Sequence, residues 1–520
     1  MTSRLVSFIL IFSLVLLLCT GIGSSALVQE MTPAPDFAAI DAFVGAHVKD
    51  RNLPGLALGI VHGDEIVHLQ SFGIADPSGR AITPQTPFRL ASLTKSFTAL
   101  AIMQLVETGM LELDAPVQEY LPWFRVADAG DSALITVRHL LQQTSGLSTL
   151  TGNSFLPIRD PSQPDMEVFV RSLSSADLTS TPGEDWQYSN ANYVVLGLVI
   201  EAVSGESYEQ YIEEHIFTPL DMNTSFLSEQ VARQHGMAVG YQLRFGLPTP
   251  VDLPFPDAFA AAGGIISTSE DMSHYLIAHL NRGRYGDISL LSPAGLAQLW
   301  QPPASAQVDE NSSYAMGWYV GAPYSLSGSD HSGGGGNFHA HMVVTPETGW
   351  GVVVLVNAEH LLLLTKPVEY IAWGVIHMLQ GQTISPNADI SEALYLGTFV
   401  IVALQLLSLI WGVLGLRLWS HQPESCPRGI WQLALRIVLP ILLNLLVAYV
   451  FTVGLPQLAG LSFAAVLHYI PDWSYGFVLS AALAFCWLVW GIAVLVVLRQ
   501  QPAPGSTLSD LQVSAGQSLG

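Results

Sequence analysis

Three long stretches without a charged residue close the chain, and they limit what it can fold into more than any other feature. Ala393–Leu416 is 24 residues and Trp473–Leu498 is 26 residues with no Asp, Glu, Lys or Arg. Between them, Ile437–Pro471 is also uncharged, and its first part, to about Leu455, is long enough to span. At a rise of about 1.5 Å per residue, each covers a hydrocarbon core of about 30 Å. A transmembrane region of three helices is therefore expected over 393–498, followed by a tail over 499–520. Charged residues are only 12% of the chain, against roughly 25% in an average soluble domain. With 50% hydrophobic residues, disorder as the main state is excluded.

Basic residues set the orientation. Arg417 and Arg428 follow the first stretch and Arg499 follows the last, whereas the loop before the third carries Asp472 and no basic residue. Lys and Arg stay in the cytoplasm, so residues 30–390 are expected on the extracytoplasmic side of a multi-pass cell membrane protein. Arg4 ahead of the apolar run Leu5–Cys19 agrees. Residues 1–26 read as a signal peptide or as an N-terminal membrane anchor, and Ser24-Ser25-Ala26 supplies small residues at a candidate cleavage point. The polar residues in or beside the spans are chiefly Arg436, Asn444 and His468. Arg436 lies at the cytoplasmic end, where its side chain reaches the interface, so it does not favour a transporter.

The block from Glu30 to Glu392 carries 14 basic and 39 acidic residues. Such a surface repels phosphate backbones and excludes nucleic acid as a partner. No cysteine falls between residues 20 and 425, which excludes a disulfide, a thiolate zinc site and a cysteine nucleophile from this block. The histidines show no His-Glu-x-x-His pattern, so no metal and no cofactor are expected.

Within the block, Leu56–Val61 and Ile66–Leu69 read as a hairpin turned by His62-Gly63-Asp64-Glu65. Phe97–Val106 and Tyr193–Val203 carry helical spacing, the second stopped near Gly205. Val343–Val344 and Gly351–Val356 read as strands joined by Pro346-Glu347-Thr348-Gly349. Strand signals thus sit at both ends of the block and helical matter lies between. The expectation is an α+β domain with an antiparallel sheet built from both ends, a mostly helical lobe inserted, and a cleft between the two.

Three segments carry residues suited to chemistry. In Ser92-Leu93-Thr94-Lys95, residues three apart share one face at a helix start. A desolvated Lys95 loses proton affinity and can take the proton of Ser92. In Tyr188-Ser189-Asn190, a tyrosine of depressed pKa can relay a proton, and the asparagine amide can orient both the lysine and a substrate carbonyl. In His331-Ser332-Gly333-Gly334-Gly335-Gly336, the absence of Cβ at Gly333 and Gly334 lets a substrate lie close to a strand edge. A backbone N–H there, with that of Ser92, can form an oxyanion hole.

These segments give the chain its resemblance to the serine beta-lactamase and penicillin-binding-protein-like family, on the class C and esterase-like side. Phe88–Phe97, Leu140–Leu147, Pro182-Gly183 with Tyr188-Ser189-Asn190, and His331–Gly334 occur in the family's order. Ala262-Gly263-Gly264 and the strand ending near Asn357 add to it. The resemblance implies a beta-lactamase-like antiparallel sheet flanked by helices, and an acyl-enzyme route. Ser92 is the implied nucleophile, Lys95 and Tyr188 the proton carriers, Asn190 the group holding lysine and substrate, and the N–H groups of Ser92 and Gly334 the oxyanion hole. His331 stands where many relatives carry lysine or histidine, and is implied to support Tyr188 or meet a substrate carboxylate. Histidine in place of lysine weakens the case for a dedicated beta-lactamase. Gln143 replaces a histidine common in relatives. The expected activity is hydrolysis of a small-molecule or peptide substrate, either a D-amino-acid peptide or a small ester, beside the lipid bilayer. The alternative is a noncatalytic membrane sensor or scaffold.

Overall fold

The computed structural model describes residues 35–154, 165–253, 255–384, 390–422, 426–427 and 429–499. The expected signal or anchor over 1–26, Arg428, and the tail after Arg499 lie outside the described residues.

The first block begins with helix α1 (Phe37–Asp50) and the hairpin β1 (Gly55–His62) and β2 (Glu65–Gly73). A largely helical stretch follows, containing α2 (Thr94–Glu107), α3 (Asn190–Ser204) and α4 (Ser269–Leu280). Strands then resume as β3 (Ser312–Tyr314), β4 (Tyr319–Gly321), β5 (Gly328–Gly334), β6 (His339–Thr345) and β7 (Trp350–Val356), before helix α5 (Thr365–Leu379). The strands form one antiparallel sheet in the order β2-β1-β7-β6-β5-β4-β3. The hairpin from one end of the block therefore pairs, through β1 and β7, with the strands from the other end, as the distribution of strand signals predicts.

Alternation explains why the central strands are apolar on both sides. Leu56, Leu58 and Ile60 of β1, with Val352, Val354 and Val356 of β7, enter a core with α1 and α5. Ala57 and Val61, with Val353 and Leu355, enter a second core shared with α4 and the helical lobe. Successive side chains point to opposite faces, so a strand buried on both faces is hydrophobic throughout. Gly59 is required where α4 crosses β1, because a Cβ there would lie 2.8 Å from the carbonyl oxygen of Ser269. In the helical lobe, Ala191–Ile200 of α3 is buried without interruption and α2 is buried on almost every face. Helices apolar on all sides belong in the centre of a lobe.

The C-terminal stretches form α6 (Ser391–His421), α7 (Ile430–Leu458) and α8 (Pro471–Arg499), of 31, 29 and 29 residues. Each is long and apolar enough to cross a bilayer. Their outward side chains, among them Leu404, Leu407, Trp411, Leu442, Leu446, Phe485 and Ile492, are exposed. A surface of this kind is stable against lipid tails and not against water. Gly412 of α6 lets the rings of Trp487 and Trp490 of α8 approach closely.

The bundle docks on the first block through a buried acid. Asp472, in the first turn of α8, is fully buried. It accepts hydrogen bonds from Tyr395 Oη at 2.7 Å and from the backbone N–H of Phe245 at 2.8 Å. His360 Nε2 lies 3.4 Å from its other oxygen. Gln242 Nε2 donates to the carbonyl of His468 at 2.9 Å, and Arg51 pairs with Glu392. Replacing Asp472 by alanine orphans these donors. Each buried donor left unpaired costs roughly 1–3 kcal/mol, so Asp472→Ala is expected to lower the thermal midpoint of the full chain in detergent. Tryptophan fluorescence checks this, and a midpoint equal to wild type would show that the acid does not hold the two parts together.

Candidate active site

Ser92 lies in the single turn Ala91–Leu93 that runs directly into α2. A short ladder, Phe88–Arg89 paired with Ile266–Ser267, holds the turn from behind. The backbone N–H of Leu90 donates to Ile265 O at 2.9 Å, and Thr94 Oγ1 accepts from the N–H of Ile265 at 3.1 Å. Ala91 adopts a left-handed backbone with φ 48°, a conformation rare for residues with a Cβ and concentrated at functional sites. Gly333 of β5 packs against this turn, where a Cβ would fall 2.2 Å from Leu90 O. Glycine is therefore needed at 333 for the strand and the Ser92 turn to touch.

Lys95 is completely buried. Its Nζ lies 3.1 Å from Ser92 Oγ, 2.8 Å from Asn190 Oδ1 and 2.7 Å from the carbonyl oxygen of Ala262. No carboxylate is among these partners, and burial drives the lysine pKa well below its usual value. The neutral amine fits the three partners. Its two N–H groups serve the obligate acceptors Asn190 Oδ1 and Ala262 O, leaving a lone pair for the hydroxyl of Ser92.

Asn190 begins α3, and its amide orientation is set by Nδ2 donating to Asn153 Oδ1 at 2.8 Å. The preceding loop is held by Gln143, whose Oε1 accepts from the N–H of Ser189 at 2.9 Å and from Asn192 Nδ2. The amide that replaces the family's histidine thus has a structural task, positioning the Tyr188 loop. Tyr188 lines the same cavity as Ser92, and Lys95 Nζ lies 4.9 Å from its ring centre. Its phenol is raised above its usual value by desolvation. This corrects the expectation of a depressed tyrosine: in the resting site Tyr188 is a neutral phenol, and the depressed group is Lys95.

His331, on β5, is also buried. Its Nδ1 donates to Ser332 O at 2.7 Å, and its Nε2 accepts from Tyr314 Oη at 3.3 Å. Burial pushes the imidazole down to about 3. His331 is therefore a neutral group, 6.4 Å from Tyr188 between ring centres, and brings no positive charge to a substrate carboxylate.

Ser92, Tyr188, Asn190, His331 and Gly334 line one cavity of about 370 Å³, which places these candidates together, with Lys95 and Gly333 packed immediately behind. Several lining residues carry no local sequence signal. Ser332 Oγ lies 3.1 Å from His339 Nε2, whose Nδ1 lies 2.6 Å from Glu359 Oε2. This chain is assembled because His339 on β6 pairs with Gly334 on β5. Ala459, Leu461 and Tyr469, from the segment joining α7 to α8, form a further wall.

A family model described as Beta-lactamase matches residues 40–366. The chain is 29% identical to Protein flp of Staphylococcus aureus (strain MW2) over 351 residues, 66% of this chain and 68% of that one. It is 28% identical over 317 residues to Penicillin-binding protein 4 of Amycolatopsis lactamdurans, covering 59% of this chain and 82% of the relative. Among solved structures, the octameric penicillin-binding protein homologue from Pyrococcus abyssi superposes with a TM-score of 0.59 at 29% identity, over 68% of this chain and 79% of that one.

The environment of His331 makes a prediction independent of activity. NMR of histidine-labelled protein, with His331→Gln to assign the signal, is expected to show a neutral Nδ1–H imidazole throughout the range from about pH 5 to 8. A protonation midpoint inside that range would show that the ring reaches water or a carboxylate.

Proposed function

Since the chain belongs to the beta-lactamase family, we propose that it is a membrane-tethered serine hydrolase cleaving an amide or ester bond through an acyl-enzyme. The substrate class is a D-amino-acid peptide or a small ester, met on the extracytoplasmic side. The observation that carries this reading is the buried Lys95 amine, with both N–H groups committed to Asn190 and Ala262 and its remaining valence facing Ser92 Oγ at 3.1 Å.

In the proposed cycle, Ser92 Oγ attacks the substrate carbonyl while its proton passes to Lys95 Nζ. The backbone N–H groups of Ser92 and Gly334 receive the oxyanion. The bond to the leaving group breaks, and that group takes the proton from Lys95 through the hydroxyl of Tyr188. Water then attacks the Ser92 ester, giving a proton back along the same path, and releases the acyl product. Tyr188, a neutral phenol at rest, acts here as a donor and relay rather than as a standing phenolate. The neutral His331 and the absence of arginine and lysine among the described residues of the cavity lining favour substrates without a carboxylate at the β5 edge. This ranks penicillins behind peptides, amides and esters. The run of Arg417 and Arg499 on one side of the bundle, against Asp472 on the other, supports the extracytoplasmic placement.

A fluorescent phosphonate, applied to the full chain in detergent and located by peptide mapping, is expected to label Ser92. Label is lost in Ser92→Ala, and ester hydrolysis falls by at least about a thousandfold in Ser92→Ala and Lys95→Ala. In wild type, kcat/KM rises with pH as Lys95 loses its proton, with the limb far below the ordinary lysine value of 10.5. Turnover close to wild type in either variant would sink the mechanism. A folded chain that does not label, even with a small probe, would leave a noncatalytic ligand-binding scaffold.

A further inference from the structure

The segment between α7 and α8 crosses the mouth of the cleft and is tied to both lobes. On the sheet side, Tyr469 packs over Gly336, where a Cβ would fall 2.7 Å from its ring, and Gln242 Nε2 holds the carbonyl of His468. On the helical side, Gly460 sits against Thr149, and Asn153 Nδ2 donates to the carbonyl oxygen of Gly460 at 3.0 Å. Asn153 is the same residue whose Oδ1 receives Asn190 Nδ2 at 2.8 Å, and Asn190 Oδ1 receives Lys95 Nζ at 2.8 Å. Three hydrogen bonds in series therefore join the membrane bundle to the lysine.

We propose that the transmembrane bundle is a working part of the active site: through Gly460 and the positioning residue Asn153 it fixes the amide of Asn190, and so the direction in which Lys95 presents its lone pair to Ser92. The proposal rests on the hydrolase reading given above. Its physical basis is the two-ended chemistry of an amide. The carbonyl end of Asn190 accepts from lysine, while its NH₂ end would oppose the lysine donors. Lys95 selects the orientation from one end, and the partner of Nδ2 fixes it from the other. Asn153 supplies that partner, and its own amide is oriented by the bond to Gly460. Gly460 is held in place by its position just beyond α7, with φ 65° and its N–H on Gln457 O.

If Asn153 is lost, Asn190 is free to turn and Lys95 loses an acceptor. An acceptor stabilises the ammonium more than the amine, so the acid limb of the pH profile moves to lower pH. The lone pair is also no longer aimed, so kcat falls. An aiming error of about 1 Å costs up to roughly a hundredfold.

The test uses the full chain in detergent, with a neutral chromogenic ester and phosphonate labelling of Ser92. Asn153→Ala is expected to lower kcat roughly ten- to a hundredfold, to leave KM little changed, and to shift the acid limb of kcat/KM downward. Gly460→Ala lies wholly within the bundle segment. Its new Cβ would meet Thr149 Cγ2 at 2.4 Å and must displace the loop, so the same pair of effects is expected. Should Asn153→Ala fail to fold by thermal unfolding, Gly460→Ala reads the same link. A Gly460→Ala protein with wild-type kcat and pH limb overturns the role of the bundle, whatever Asn153→Ala does. A rise in KM alone, with kcat and limb unmoved, makes the segment only a wall and also overturns the proposal. Wild-type protein that does not label at Ser92 fails earlier, at the hydrolase reading itself.

Discussion

A lysine held in the interior with no carboxylate among its described partners is the constraint around which the first block is arranged. Burying an ammonium unpaired is prohibitively costly, so the group survives inside only by giving up its proton. The neutral state in turn demands two fixed acceptors and one hydroxyl at tetrahedral positions around Nζ. Ala262, Asn190 and Ser92 meet that demand from three separate parts of the chain. Much of the surrounding structure can be understood as the means of keeping those three still: the buried helices α2 and α3, the short ladder behind Ser92, and Gln143 clamping the loop before Asn190.

The second constraint is topological. Because β1 pairs with β7, the sheet closes only after almost the whole block has been made, and the helical lobe is left as an insertion facing one of its edges. The cleft between them is where β5 brings Gly333 and Gly334 against the Ser92 turn. The bundle closes this cleft from a third direction. Its buried Asp472 satisfies groups of the first block and of α6 together, so the bundle is seated on the first block by directional bonds and not by a flexible tether alone.

The motif residues were legible because their spacing is local. Ser92 and Lys95 are one helical turn apart, and that separation brings their side chains together in any helix. The three spans were legible for a similar reason, since hydrocarbon thickness translates into a residue count. The sense of the Tyr188 shift was not legible, since it depends on how much protein surrounds the ring. The neutrality of His331 was hidden in the same way: its charge is decided by burial, which residues far away in the chain supply.

By itself the amino-acid sequence determined that this chain has a soluble-type α+β block of beta-lactamase type followed by three membrane-length helices, and it named the serine, lysine, tyrosine and asparagine that meet in the cleft. Only the tertiary structure decided that Gln143 orders the tyrosine loop, that Ser332, His339 and Glu359 form a chain lining the cavity of Ser92, and that Gly460 reaches the lysine through Asn153 and Asn190. The physical reason is range. Periodicity and helical spacing act over a few residues, whereas burial and hydrogen-bond partnership join positions hundreds of residues apart, and no local pattern records them.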